Sequence, residues 1–198
     1  MTDVAKPTVL ARVEWDEPPV GLYAEVMTLA ASPACSPTPV LRCDLDLDEE
    51  WWTRLADSLA RLAAYETKRI AYLRTNFERH LRVRFGRRVD SVTPVEWAVA
   101  HTDLHWANVT CPELSILDWE GWGWAPAGID AAQLYCHSLL QPSIAAKVHQ
   151  VFADVLDTPT GKLSQLSVID HLLDRALGGE NPDLVLPLHD HADRLLSQ

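Results

Sequence analysis

The stretch HTDLHWANVTCPELSILDWE, residues 101–120, combines a polar loop with a hairpin pattern and decides most of the fold. The apolar run VEWAVA at residues 95–100 precedes it and predicts a strand that ends at His101. The segments ANVT and LSILD predict two further strands, joined across CPE as a tight hairpin. The polar side chains of this stretch therefore fall at strand ends, where the two arms of a hairpin meet.

One amide and two carboxylates in this stretch are predicted to act together. Asp103 and Asn108 lie in the loop, and Asp118 closes the second arm of the hairpin, beside Asn108. Amide and carboxylate oxygens are hard ligands, suited to a Mg²⁺ ion that keeps several waters. Asp103 is near enough to accept the proton of a substrate hydroxyl. Phosphoryl transfer needs this arrangement, because one carboxylate orients the nucleophile while the metal neutralises phosphate charge.

An alternative site follows if residues 101–105 are extended, because His101, Asp103 and His105 would then project from one face. Two histidines and a carboxylate suit iron or zinc, with hydrolytic or oxidative chemistry. This interpretation leaves Asn108 and the ILDWE segment without a role. We therefore favour the magnesium phosphotransfer centre.

The combined motif resembles that of the aminoglycoside phosphotransferase and choline kinase family, which has a protein-kinase-like fold. The matching segments are His101-Thr-Asp103-Leu-His105-Trp-Ala-Asn108, Ile116-Leu-Asp118-Trp-Glu120 and Ala125-Pro126-Ala-Gly128-Ile-Asp130. By this resemblance Asp103 would be the catalytic base, and Asn108 and Asp118 would bind Mg²⁺. His101 would brace the loop, and Asp130 would be a partner of that loop. ATP or GTP would donate the phosphoryl group.

The N-terminal region departs from the family pattern, which fits residues 45–150 well and residues 8–40 poorly. It is shorter than a full N-lobe, and Gly21 is the only glycine before residue 86, so no glycine-rich phosphate loop is encoded. If the predicted strand TVLARVEW bears the family's lysine position, Arg12 stands near it. Glu25, on a short helix predicted after Pro19, would be its ion-pair partner. Arginine can clamp phosphate but is not equivalent to lysine, so a binding module without catalysis is the alternative function.

Four further side chains around the loop are candidates for ligand contacts. They are His105, Trp106, Glu120 and Trp122. Tryptophan rings beside a glycine can wall a ligand pocket, although core packing is their commoner role.

Most of the remaining chain predicts helices. Asp46 followed by Glu49 resembles a capping box before one helix. The stripe Ile70, Leu73, Phe77 and Leu81 predicts a second helix that stops at Gly86, and the chain beyond about residue 131 is helical.

We therefore predict an α+β, protein-kinase-like fold. A reduced N-lobe would span residues 1–44, and a mostly helical C-lobe with the catalytic β-hairpin would span residues 45–198.

Charge and composition bound the partners. The chain has 28 acidic and 17 basic residues, a net charge of −11 that disfavours nucleic acid. Residues 151–198 hold eight Asp/Glu against three Lys/Arg. This indicates either a pocket for a cationic hydroxyl-bearing acceptor, such as an amino sugar, or a solvated acidic surface. No apolar run of 18 or more residues predicts a membrane span. The first residues do not resemble a secretory signal, so we expect a cytoplasmic protein.

Overall fold

The N-terminal part of the chain is an antiparallel β-hairpin. The computed structural model describes residues 3–18, 20–89 and 95–197. Strand β1 (Val9–Glu17) confirms the predicted strand and pairs with β2 (Val20–Met27). The helix predicted after Pro19 is wrong over the described residues, and Pro19 itself lies outside them. The spacing of Leu22 and Val26 fits one face of either a helix or a strand, and pairing with β1 decides for the strand.

The proline-rich segment after this hairpin packs along the hairpin of residues 107–118. Cys35 N donates a hydrogen bond to Val109 O at 2.7 Å, and Cys111 N donates one to Pro33 O at 3.1 Å. Further on, Leu41 is fully buried. The segment therefore lies beside the hairpin like a third strand. The division of the chain into two lobes at residue 44 stays a prediction.

Six α-helices supply most of the regular secondary structure among the described residues. They are α1 (Glu49–Ala63), α2 (Arg74–Phe85), α3 (Ile129–Cys136), α4 (Pro142–Leu156), α5 (Pro159–Leu177) and α6 (Val185–Leu196). Single 3-10 turns lie at Gly86–Val89 and Pro182–Leu184. Together with two small antiparallel sheets, these helices confirm the predicted α+β class. No helix among the described residues is long and apolar enough to cross a membrane.

Two details of the predicted helices are wrong. The cap of α1 is Asp48, whose Oδ1 accepts a hydrogen bond from Trp51 N at 2.8 Å, whereas Asp46 lies outside the helix. Helix α2 begins only at Arg74, so Ile70 precedes it and is 67% exposed. Ile70 instead forms a backbone bridge with Trp124, because residues 67–72 lie along the sheet that carries the catalytic loop.

That sheet consists of β3 (Trp97–Ala100) paired antiparallel with β4 (Gly123–Pro126). β3 confirms the predicted strand before the loop, whereas no strand was predicted at β4. A Cβ on Gly123 would lie 2.9 Å from Arg69 O, so glycine is needed for this close approach. The predicted arms ANVT and LSILD form a single bridge, between Val109 and Ile116, flanked by the hydrogen bonds Thr110 N to Ser115 O and Leu117 N to Asn108 O.

Three tryptophans join α1 to the loop of residues 101–108. The Trp51 ring stacks on that of Trp106 with centroids 6.3 Å apart, and Trp52 meets Trp106 edge-on at 6.2 Å. Trp106 Nε1 donates to Ser138 Oγ at 2.9 Å, so the indole is both fully buried and satisfied. This cluster anchors the loop against the helical body.

The cap of α1 gives the first testable prediction. Asp48→Ala removes the acceptor for Trp51 N and should lower the free energy of unfolding by about 1 kcal/mol. Asp46→Ala is the matched control, because Asp46 is exposed outside the helix, and it should change stability little. Urea unfolding of both variants measures the difference, and equal losses would argue against Asp48 as the cap.

Candidate active site

The loop of residues 101–108 is held by one buried carboxylate. Asp130, in the first turn of α3, accepts hydrogen bonds from His101 N at 2.8 Å and from Thr102 N at 2.7 Å. Burial raises the pKa of Asp130 above its usual value, and the charge of His101 and the two backbone N–H groups offset part of this rise. Thr102 adopts a φ of 72°, a conformation that non-glycine residues rarely take. Asp130 therefore fixes the backbone turn that precedes Asp103.

His101 braces the loop from the other side. Its Nδ1 accepts from Asp103 N at 3.3 Å, so its Nε2 carries the proton that Leu117 O accepts at 2.8 Å. Its ring also packs edge-on against Trp119, with centroids 4.8 Å apart. Because both ring nitrogens are engaged, the alternative iron or zinc site of His101, Asp103 and His105 does not form.

Asp103 presents a half-exposed carboxylate at the end of this turn. Asn108 Nδ2 donates to Asp103 O at 3.0 Å and to Asp103 Oδ2 at 3.2 Å. His105 Nε2 lies 3.6 Å from the same carboxylate oxygen and is the main cause that lowers the pKa of Asp103. The carboxylate is therefore ionised at neutral pH and able to accept a proton.

Asn108 and Asp118 lie next to each other across the hairpin, because Leu117 N donates to Asn108 O at 2.8 Å. The Asn108 amide nitrogen is engaged by Asp103, and its oxygen has no hydrogen bond within the described residues. Asp118 is exposed and adopts a φ of 61°, which aspartate tolerates better than most residues. One amide oxygen and one carboxylate suit Mg²⁺, which binds few protein ligands and keeps its waters. No cluster of three His, Cys, Asp or Glu able to hold a metal exists in the described part of the chain.

A cavity of about 740 Å³ opens beside the loop. Asp103, Asp118, His105 and Glu120 line it at the loop end. The opposite wall comes mainly from α5 and the segment after it. The cavity is large enough for a small-molecule ligand.

Arginines neutralise the carboxylates at the far end of this cavity. Arg84 from α2 pairs with both Asp170 and Asp174 of α5. Arg175 pairs with Glu180 at 2.5 Å. The acidic character of the cavity is therefore concentrated near the catalytic loop, rather than along the C-terminal helices as their composition predicted.

The two tryptophan candidates do not line the cavity. Trp106 is buried in the core, out of reach of a ligand, so its prediction as a ligand contact is wrong. Trp122 packs under the guanidinium of Arg69, 4.9 Å from its ring centroid, and against Tyr65. Arg69 also donates to Trp122 O at 2.9 Å, so Trp122 belongs to the packing of the segment beside β4.

Arg12 and Glu25 do pair, but away from the cavity. They are direct cross-strand neighbours in the β1–β2 hairpin, with Arg12 Nη1 3.2 Å from Glu25 Oε1. Arg12 also contacts Glu14 at 2.6 Å and lies over the Tyr23 ring. The pair is exposed, and its role in nucleotide binding stays a prediction.

Sequence reasoning missed Gln133. Its Oε1 accepts from Leu104 N and its Nε2 donates to Thr102 O, both at 2.6 Å. Gln133 lies three residues after Asp130 on α3, which places both on one helix face. That spacing was a signal in the sequence for a second residue that holds the loop.

Solved structures resemble the chain, although no family model and no curated protein matches it. A choline/ethanolamine kinase family protein from Mesorhizobium loti is 15% identical, with a TM-score of 0.49. Amicoumacin kinase hAmiN, in complex with AMP-PNP, Ca²⁺ and Ami, is 13% identical, with a TM-score of 0.51. Each likeness covers 98% of this chain and 72% of the other.

The chain has a kinase-like fold. The resemblance seen in the sequence motifs is therefore confirmed at the level of the fold. Identities this low leave the reaction and its ligands to be argued from the residues themselves.

Removing the carboxylate that holds the loop gives the second prediction. Asp130→Ala leaves the N–H groups of His101 and Thr102 without their acceptor, and should lower the free energy of unfolding by about 2–5 kcal/mol. Asp190→Ala, at an exposed position of α6, is the control and should have little effect. Urea unfolding compares the two variants. Similar losses in the free energy of unfolding would contradict Asp130 as the main residue that holds the loop.

Proposed function

We propose that the protein transfers the γ-phosphoryl group of ATP or GTP to a hydroxyl of a small acceptor, with Mg²⁺. One observation carries this proposal. Asp103 and Asp118 line the same cavity, and neither carboxylate pairs with a lysine or arginine among the described residues. Two such unneutralised carboxylates beside a braced loop suit a reaction that needs both a proton acceptor and a cation site.

Asp103 is the proposed base. Its carboxylate is held by Asn108 and kept ionised chiefly by His105. It would orient the acceptor hydroxyl and take its proton as the oxygen becomes bonded to phosphorus. The backbone that positions Asp103 is fixed from both sides, by Asp130 and by His101. In-line transfer requires a base that is held in a fixed orientation.

Asn108 and Asp118 would hold Mg²⁺ through the amide oxygen and the carboxylate. The ion would neutralise charge on the nucleotide phosphates when bound. Asn108 then has two functions on one side chain, because its nitrogen restrains Asp103 while its oxygen remains available.

The proposed acceptor is cationic. The loop end of the cavity carries the carboxylates of Asp103, Asp118 and Glu120, and none of them pairs with an arginine among the described residues. Arg69 donates to the backbone oxygen of Glu120 at 2.5 Å, not to its carboxylate. A positively charged amine on the acceptor would be attracted there, and much less to the arginine-paired far end. An amino sugar or an amine-bearing alcohol meets this requirement.

A binding module of the same fold is the second candidate function. It is favoured by the β1–β2 hairpin, whose side chains are almost all exposed, and by the lack of a glycine-rich phosphate loop before residue 86. Such a protein would bind a ligand in the cavity without consuming nucleotide.

Replacing the proposed base separates the two functions. Asp103→Ala should lower phosphoryl transfer from ATP at least about 100-fold, the usual scale of general base catalysis. The acceptors tested are kanamycin, glucosamine, choline and ethanolamine, and product formation is followed by mass spectrometry. The variant should keep its ATP-dependent rise in melting temperature, because Asp103 acts on the acceptor.

Asp154→Ala is the control, since Asp154 is exposed on α4 and does not line the cavity of Asp103. It should transfer phosphate at the normal rate. Turnover by Asp103→Ala equal to that of the unsubstituted protein would refute the base assignment. No turnover of any acceptor by the unsubstituted protein would support the binding module instead.

A further inference from the structure

Tyr72 is fixed beside the catalytic sheet by its backbone. It lies in the segment between α1 and α2, where Ala71 N and Tyr72 N both donate to Trp124 O, at 3.1 and 3.0 Å. Its ring meets that of Phe77 edge-on, with centroids 6.4 Å apart. Because Trp124 belongs to β4, the phenol is attached to the same sheet that carries the loop of Asp103.

The Tyr72 phenol lines the cavity that Asp103 lines, and no described residue forms a hydrogen bond with its hydroxyl. Burial, followed by the charges of Asp130 and Asp103, raises the pKa of Tyr72 to about 12. The hydroxyl therefore keeps its proton at neutral pH and remains a donor. A partly buried donor without a protein partner is unfavourable unless water or a ligand satisfies it.

Three of the side chains that the loop and α3 contribute to this part of the cavity have engaged donors. Thr102 Oγ1 donates to Gly121 O at 3.0 Å, and Gln133 Nε2 donates to Thr102 O. The Nδ1 atom of His137 forms a hydrogen bond with Gln133 O at 2.8 Å. The Nδ1 atom of His105 has no hydrogen-bond partner among the described residues, but it is buried away from solvent. The Tyr72 hydroxyl, by contrast, is a donor near Asp103 that the fold leaves available.

The other tyrosines of the described chain serve elsewhere. Tyr65 is 40% exposed and packs against the edge of Trp122. Tyr135 packs on His191, and Tyr23 lies under Arg12 in the N-terminal hairpin. Tyr72 is the one tyrosine among them that lines the cavity.

We propose that Tyr72 binds the phosphoryl acceptor by donating a hydrogen bond to an acceptor oxygen that neighbours the reacting hydroxyl. This inference rests on the proposed function. Asp103 would hold the reacting hydroxyl, and Tyr72 the oxygen beside it, so two contacts fix the orientation of the acceptor. The preferred acceptor is then a cationic polyol with at least two adjacent oxygens. Choline and ethanolamine, with one oxygen each, cannot use the Tyr72 contact.

The experiment compares Tyr72→Phe with the unsubstituted protein in steady-state kinetics. The substitution removes one hydroxyl and keeps the ring against Phe77, so the melting temperature should not fall. For the polyols kanamycin and glucosamine, the acceptor KM should rise about 2- to 12-fold, the effect of one hydrogen bond. The KM for ATP should stay unchanged. For ethanolamine, kcat and the acceptor KM should both equal those of the unsubstituted protein.

Tyr65→Phe is the matched control, because it removes a tyrosine hydroxyl from the same segment but outside the cavity. It should leave every constant unchanged. A loss of kcat in Tyr72→Phe with all acceptors, together with a lower melting temperature, would mean a structural role and overturn the inference.

The outcomes distinguish this inference from the proposed function. If Tyr72→Phe phosphorylates the polyols with the same KM as the unsubstituted protein, the role of Tyr72 is overturned but the proposed function is not. The same holds if ethanolamine is the preferred acceptor. A protein that phosphorylates none of the four acceptors would overturn the proposed function and the inference with it.

Discussion

The hydrogen bonds from His101 N and Thr102 N to the Asp130 carboxylate are the interaction on which the site depends. A buried carboxylate without donors, or buried N–H groups without an acceptor, would cost several times the net value of one hydrogen bond. The loop is therefore held in one conformation, in which Thr102 takes a positive φ and Asp103 follows it into the cavity. Gln133, one turn further along α3, repeats this restraint on Leu104.

The distribution of charge then makes the two ends of the cavity electrostatically different. The carboxylates of α5 are neutralised by Arg84, which also joins α2 to α5. Asp103 and Asp118 have no such partner among the described residues, so they keep the negative potential at the loop end. Arg84 thus contributes to the electrostatics of the site. Its effect is to concentrate attraction for cations beside the loop.

Local signals in the sequence predicted the parts of the molecule that local chemistry determines. The spacing of Asp103, Asn108 and Asp118 predicted their proximity, because a loop and a hairpin are short-range structures. The start of α2 and the β4 pairing were missed, since each is decided by partners distant in sequence. The strand β2 was missed although its partner β1 directly precedes it, because the spacing of Leu22 and Val26 fits a helix as well as a strand. The position of Tyr72 depends on its backbone contact with Trp124, 52 residues away, and no pattern in the sequence indicates it.

Binding of nucleotide in the presence and absence of Mg²⁺ tests most directly whether this loop is a phosphotransfer site. Calorimetric titration would compare the unsubstituted protein with Asp118→Asn, and with Asp154→Asn as the control. We expect ATP to bind at least about tenfold more tightly with Mg²⁺ than without it, and Asp118→Asn alone to remove that difference. ATP affinity that is independent of Mg²⁺, or a Mg²⁺ effect that survives in Asp118→Asn, would contradict the account.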